Sequence, residues 1–464
     1  MYDNISTMLD LSGFFNPESI AIIGASEKPG KLSGIIIQNL LGACYRGNLY
    51  PVNPSYKEVF GIRCFPSVND IPTNIDLAVI AIPAPNVPGV LKGCGDKKIG
   101  SVIIISSGFR ETGEEGERLE KKVKDISNEL GIRIVGPNCM GVYSPASCLD
   151  TFFIPSERME RPGPGPVSIL SQSGSFAVTF LDILAYEGMG VSKVVNYGNR
   201  IDIGESELLR YLADDNGTKV VAMYIESIEN GKEFIEAASY CSLRKSVVAF
   251  KAGKREAGAS AARSHTGAMA GRYEIYKAAF RKAGVVEAET YGELLDACKI
   301  LSFQKPSRGK RVLIVTDGGG IGVAIADLCG DHGLDIPDLH YEIKERLSKK
   351  LPSYYSLRNP VDLTGSATDD EYGIVLREAL SGDHYDLAIV TALWGPPALT
   401  DRLIDVIAGA EEVTGKPLLI CSIGGRFTMS RKGLFEKKGL PVFPSPERAV
   451  KAASLLVKRG MINT

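Results

Sequence analysis

Residues 261–271 read AARSHTGAMAG and place His265 in a run of small side chains, with Arg263 and Ser264 directly before it. The chain has four histidines, and the other three, at 332, 340 and 384, stand in ordinary surroundings. An imidazole nitrogen is a good nucleophile at neutral pH, and its phosphoramidate is reactive enough to pass phosphate on. Lys251, Lys254, Arg255 and Arg263 lie in the same Ala/Gly-rich stretch, 251–271. A surface helix accounts for an isolated histidine. Small residues that let a segment move, together with flanking cations, point instead to a phosphate carrier. Such a ring needs its second nitrogen oriented, commonly by a carboxylate. Glu226 in YIESIENG, at the end of an apolar run, is the first candidate and Glu229 the second; spacing alone does not choose between them.

A carrier needs surfaces that load and unload it, and three strand–turn–helix junctions offer them: IIGASEKPGKLSG, ILSQSGSFAV and IVTDGGGIGVAIA. The first amides of a helix lack intrahelical acceptors and sit at the positive end of its dipole, which favours an anion. In the first junction Gly24 and Ser26 form the turn and Lys28 adds a donor. The pattern departs from GxGxxG, and an ordinary tight turn explains Gly24 alone. The basic residues favour a CoA or nucleotide diphosphate site. An NAD site requires an acid at the end of the second strand. That place reads YPVNP, residues 50–54, with no acid, so a nicotinamide oxidoreductase is disfavoured. In the second junction Ser173 and Gly174 open a helix, where a serine is also a common N-cap. In the third, Gly318, Gly319 and Gly320 are bare backbone that a large anion can approach.

These junctions sit in a repeating pattern. Apolar runs at 19–23, 47–54, 76–85, 101–109 and 132–141 alternate with amphipathic stretches such as EEGERLEKKVKDISNEL. Continuous apolar strands between helices indicate a parallel sheet covered on both faces. RPGPGP (161–166) and SFQKPSRGKR (302–311) punctuate the chain, and the strand–helix pattern restarts after each. The 464 residues therefore read as three doubly wound α/β domains, 1–144, 145–302 and 303–464, in line with about 150 residues per domain. The first is Rossmann-like.

Composition excludes several classes. A net charge of −2 gives no electrostatic footprint for nucleic acid or an anionic membrane. The nine cysteines contain no CxxC pair and no ligand spacing with histidine, so no tightly bound metal is expected and reduced thiols in a cytoplasm are the simplest reading. The N-terminal MYDNISTMLDLSGFF lacks a basic region followed by an apolar one, and no apolar run reaches membrane length, so neither secretion nor membrane insertion is expected.

IAIIGAS with YPVNP, AIPAP, SSGF, GPNCMG, SILSQSG, YIESIENG, KAGK with RSHTGAMAG, and VTDGGGIGV occur in this order along nearly the whole chain. Together they resemble the alpha subunit of ADP-forming acyl-CoA synthetases, a family similar to succinyl-CoA synthetase. The resemblance implies a CoA-binding Rossmann domain followed by two flavodoxin-like domains. It implies that Gly24, Ser26, Lys28, Val52, Asn53, Pro54, Ile82, Pro83, Ala84, Ser106, Ser107, Gly108 and Phe109 contact CoA. It further implies that phosphorylated His265 is held between a helix marked by Ser173 and Gly174 and another marked by Gly318 to Gly320, with Glu226 orienting the ring. The implied reaction is acyl-CoA, ADP and phosphate to free acid, ATP and CoA, with acetate as the expected acyl group. Nothing in the sequence resembles an ATP-grasp domain and no GxxxxGK[ST] loop occurs, so ADP and magnesium are expected on a separate beta subunit, in an alpha2beta2 heterotetramer. A rival is a CoA-binding regulatory or scaffold protein without turnover, which leaves the RSHTGAMAG loop unexplained.

Overall fold

A computed structural model describes residues 10–258 and 272–462. The chain divides into two compact units, Met1–Glu287 and Ala288–Thr464. The first unit holds two sheets. Five parallel strands, β1 (Ser19–Ile23), β2 (Asn48–Val52), β5 (Leu77–Ile80), β6 (Ser101–Ile104) and β7 (Arg133–Val135), stand in the order β2-β1-β5-β6-β7. A small hairpin, β3 (Glu58–Val59) and β4 (Ile62–Arg63), interrupts the β2-to-β5 crossover. β1 and β5 are buried at every position, as expected of Ile/Val/Leu/Ala strands covered by helices on both faces.

The second sheet has the order β14-β13-β12-β10-β11-β8-β9. β10 (Pro164–Ser171), β11 (Val191–Asn196), β12 (Val220–Ile225) and β13 (Ser246–Lys251) pair in parallel, with β14 (Val286–Ala288) beside β13. β8 (Gly141–Ser144) and β9 (Leu149–Asp150) extend it antiparallel beyond β11. Counted from β10, these five strands follow the flavodoxin order 2-1-3-4-5. One apolar core runs through both domains of this unit: Ile22, Val79, Ile105 and Val135 belong to the same cluster as Leu170, Val195 and Met223.

The other unit repeats the order in its own sheet, β16-β17-β15-β18-β19-β20. β15 (Val312–Thr316), β17 (Val361–Asp362), β18 (Leu387–Thr391), β19 (Leu418–Cys421) and β20 (Val442–Phe443) are parallel, and β16 (Ser356–Leu357) is an antiparallel edge. In each sheet the chain moves to one side from its first strand and then returns to the other. The resulting crevice, outside the carboxyl ends of two adjacent strands, is where ligands bind in this architecture. Among the described residues no helix is long and apolar enough to cross a membrane.

Candidate active site

In the first sheet Ile23 lies level with Val52 on one side and Ile80 on the other, so three strands end together. Beyond those ends is a cavity of about 470 Å³. Gly24, Val52, Asn53, Pro54, Ile82 and Pro83 line it. Gly24 sits at φ +89°, and a Cβ there would meet the Ala81 carbonyl oxygen at 2.6 Å, so both conformation and space require glycine. The turn is pinned from two directions. The amides of Gly24 and Ala25 donate to the Val52 carbonyl, and Asn53 Nδ2 donates to the Ala25 carbonyl at 2.8 Å. Ser26 is buried, its hydroxyl accepting the Lys28 amide, while Lys28 is exposed. Neither residue lines the cavity, nor does Ala84.

Ser67, Asn69, Asn86, Gly89 and Val90 also line this cavity, and sequence reasoning missed them. The isolated bridge between Val52 and Phe65 brings the 66–69 segment alongside, a pairing with no local signature. Asn86 and Gly89 follow β5 into the helix Val87–Asp96. The rule that ligands meet the carboxyl ends of the strands beside a switch point could have found them.

Ser106 to Phe109 follow β6. The Ser106 hydroxyl donates to the Ile82 carbonyl, tying this segment to the cavity wall. Ser107 is exposed and Phe109 fully buried. The Gly108 and Phe109 amides donate to Glu111 Oε1 at 2.6 and 3.1 Å, so both are already satisfied within the loop. Burial would raise the Glu111 carboxyl, but hydrogen bonds from Asn199, Phe109 and Gly108 outweigh it and hold the group below the usual range.

The crevice of the second sheet lies between β10 and β12. Ser173 is the N-cap of the helix Gly174–Tyr186, its Oγ accepting the Phe176 amide at 3.3 Å. The Gly174 and Ser175 amides have no partner within the helix by geometry and remain suited to an anion. Across the crevice Glu226 follows β12 and is 5% exposed. Gln172 clamps it: Oε1 accepts the Glu226 and Ser227 amides at 2.6 and 2.9 Å, and Nε2 donates to the Ser227 carbonyl at 2.7 Å. Lys251, 1% exposed, donates through Nζ to the Glu226 carbonyl at 2.8 Å and lies 4.5 Å from the Tyr276 ring centroid. Burial pushes its ammonium down to about 8, against the pull of the Glu226 carboxylate. Glu229 differs. Its side chain is 59% exposed and pairs with both Arg110 and Arg200 at 3.2 Å. The structure thus brings Glu226, Ser173 and Gly174 to one crevice and commits Glu229 to two arginines. His265 lies outside the described residues.

In the third sheet Gly318 caps the helix Gly319–Asp331. A Cβ at Gly318 would meet Leu393 Cδ1 at 2.6 Å and one at Gly319 would meet Asp362 Oδ2 at 2.5 Å, whereas Gly320 faces open space. Asp317, just before this turn, is 5% exposed and accepts Thr391 Oγ1 at 2.9 Å and the Leu393 amide at 3.0 Å. Burial pushes the Asp317 carboxyl up, against the pull of these hydrogen bonds. No cluster of three or more His, Cys, Asp or Glu suited to a metal ion occurs among the described residues.

Residues 18–145 match the CoA binding domain, 164–301 the succinyl-CoA ligase like flavodoxin domain and 312–445 the ligase-CoA domain. That series, with a switch-point crevice in each sheet, defines a CoA ligase of the succinyl-CoA ligase type. The chain is 39% identical over 459 residues to the alpha subunit of ADP-forming acetate–CoA ligase I of Pyrococcus furiosus, covering 97% of this chain and 98% of that one. It is 38% identical over 450 residues to ADP-forming acetate–CoA ligase I of Archaeoglobus fulgidus, covering 97% of this chain and 64% of that protein. The dinucleotide-forming acetyl-coenzyme A synthetase 1 of Ca. Korarchaeum cryptofilum, solved with phosphate and ADP, superposes with a TM-score of 0.90 at 34% identity, covering 98% of this chain and 97% of that one. The chain belongs to the ADP-forming acetate–CoA ligase family and corresponds to its alpha subunit.

Proposed function

We propose that this chain, with an ATP-grasp partner subunit, interconverts acyl-CoA, ADP and phosphate with free acid, ATP and CoA, acetate being the acyl group its relatives' names carry. The observation that supports this reading best is the 470 Å³ crevice at the first sheet's switch point, in a chain matching such a ligase along 97% of its length. A phosphate oxygen attacks the thioester carbonyl, the C–S bond breaks, and CoA leaves as its thiolate while acyl phosphate forms. An imidazole nitrogen of His265 then attacks phosphorus and the carboxylate leaves. Glu226 accepts the N–H of the other ring nitrogen, which fixes the tautomer and strengthens the nucleophile. Amides of Gly174 and Ser175, and of Gly319 and Gly320, each stabilise phosphoryl charge at a helix start, since phosphoryl transfer depends on positioning and electrostatics. ADP on the partner, with magnesium to neutralise phosphate charge, accepts the group. An alpha2beta2 assembly in the cytoplasm fits these substrates.

The test mixes chain, partner, γ-labelled ATP and magnesium and looks for acid-labile, base-stable label on this chain. Label lost in His265→Ala supports the carrier. No label, or equal label in the variant, overturns it and favours a CoA-binding protein without turnover.

A further inference from the structure

We infer that Asn199 and Arg200, two consecutive residues in the turn after β11, are positioning residues for different halves of the proposed reaction: Asn199 for the CoA-side loop, Arg200 for the Glu226 loop. The inference rests on the ligase reading above.

The turn is built to hold a fixed shape. Gly198 has φ +49°, and a Cβ there would lie 2.3 Å from the carbonyl oxygens of Pro137 and Asn138. Arg200 also has φ +49°, a left-handed conformation that a side-chain-bearing residue adopts only when its surroundings impose it. Those surroundings are visible. The Asn199 amide donates to the Pro137 carbonyl at 2.9 Å and the Ile201 amide to Gly136 at 3.1 Å.

From this turn the two side chains go to different loops. Asn199, 5% exposed, donates through Nδ2 to Glu111 Oε2 at 2.7 Å and to Glu120 Oε2 at 2.8 Å. Glu111 is the carboxylate whose other oxygen gathers the Gly108 and Phe109 amides. Arg110 Nη2 closes the same cluster on the Asn199 carbonyl. The Arg200 side chain, 5% exposed, donates through Nη1 to the Ser227 carbonyl at 2.7 Å and through Nη2 to Ser227 Oγ at 3.0 Å. Glu205 and Glu229 balance its charge at 3.5 and 3.2 Å. Ser227 shares the Gln172 clamp with Glu226, so Arg200 acts on the carboxylate's peptide through one residue. Buried, charge-assisted bonds of this kind fix geometry more than they add stability.

The test uses Asn199→Asp and Arg200→Lys in the full chain with its partner. Asn199→Asp keeps the shape and replaces a donor with a third carboxylate. Arg200→Lys keeps charge and loses the two-pronged grip. Two partial reactions are read: CoA acetylation by acetyl phosphate, which bypasses His265, and labelling of the chain by γ-labelled ATP. Asn199→Asp should raise the KM for CoA at least tenfold in the first with labelling within about twofold of the unaltered chain. Arg200→Lys should slow labelling at least tenfold with the KM for CoA within twofold. Equal losses in both reactions, tracking a lowered melting temperature, overturn the inference and leave the ligase reading intact. Absence of label from the unaltered chain overturns the ligase reading itself, and the Arg200 half of the inference with it.

Discussion

Replacing Gly24 with alanine tests the placement of the first crevice. The added Cβ would sit 2.6 Å from the Ala81 carbonyl oxygen and 2.7 Å from Ile82 Cγ2, where ordinary contact begins near 3.4 Å, so about 0.8 Å must be found. The backbone cannot yield it freely: the Gly24 amide donates to Val52 and its carbonyl accepts Ser33 Oγ at 2.8 Å. Alanine in a left-handed conformation costs about 1 kcal/mol. Overpacking against a fixed backbone adds about 1–3 kcal/mol. With about 2–4 °C of melting temperature per kcal/mol in domains of this size, the first unit should melt roughly 5–15 °C lower. Gly131→Ala is the control. Gly131 ends the helix Glu114–Leu130 at φ +66° with nothing within 4 Å of a Cβ, so it carries the conformational cost alone, about 1 kcal/mol. Calorimetric scanning reads stability, and isothermal titration with CoA reads the site. Gly24→Ala should weaken CoA at least tenfold, about 1.4 kcal/mol, and Gly131→Ala should leave it unchanged. If both variants melt alike, the close approach is not what requires glycine. If Gly24→Ala melts low but binds CoA normally, CoA does not occupy this crevice.

Ser173→Ala removes the cap of the helix Gly174–Tyr186 and should cost about 1 kcal/mol, read as a shift of the denaturation midpoint, with Ser173→Gly milder. Lys251 supplies a pH signature. Its folded-state value near 8 lies below its unfolded value, so between about pH 8 and 10.5 the unfolded chain binds more protons and stability from this group rises with pH. Lys251→Met should flatten that rise in denaturation curves taken across the window. Asp296 receives a two-pronged grip from Arg448 at 2.6 and 2.9 Å and is buried, so Asp296→Ala should destabilise the second unit by about 2 kcal/mol, with little dependence on salt.

The three α/β domains were legible because each repeats one local signal. An apolar run ends in a small-residue turn and a helix opens directly after it, and the parallel sheet follows from continuous burial of those runs. The turns at Gly24, Ser173 and Gly318 were legible for the same reason: each is the first junction of its domain, and the first strand is the one at which strand order reverses. The antiparallel β8 and β9 were not. Gly141–Ser144 reads as the tail of the preceding domain, and only its antiparallel pairing with β11, Gly141 to Tyr143 against Asn196 to Val194, places it in the second sheet.

The site divides along the same line. Spacing left Glu226 and Glu229 equal, three residues apart in one loop. Tertiary structure separates them, burying one beside Gln172 and Lys251 and giving the other to Arg110 and Arg200. Glu111 and Asn199 are 88 residues apart and carry no motif, yet the Asn199 amide ties the loop after β6 to the turn after β11. Local sequence reports which turns can face a ligand. Holding two such turns in register requires polar bonds between distant segments, and their partners are chosen by packing. A substitution at Asn199 should therefore act on CoA chemistry without touching any residue that a motif would have named.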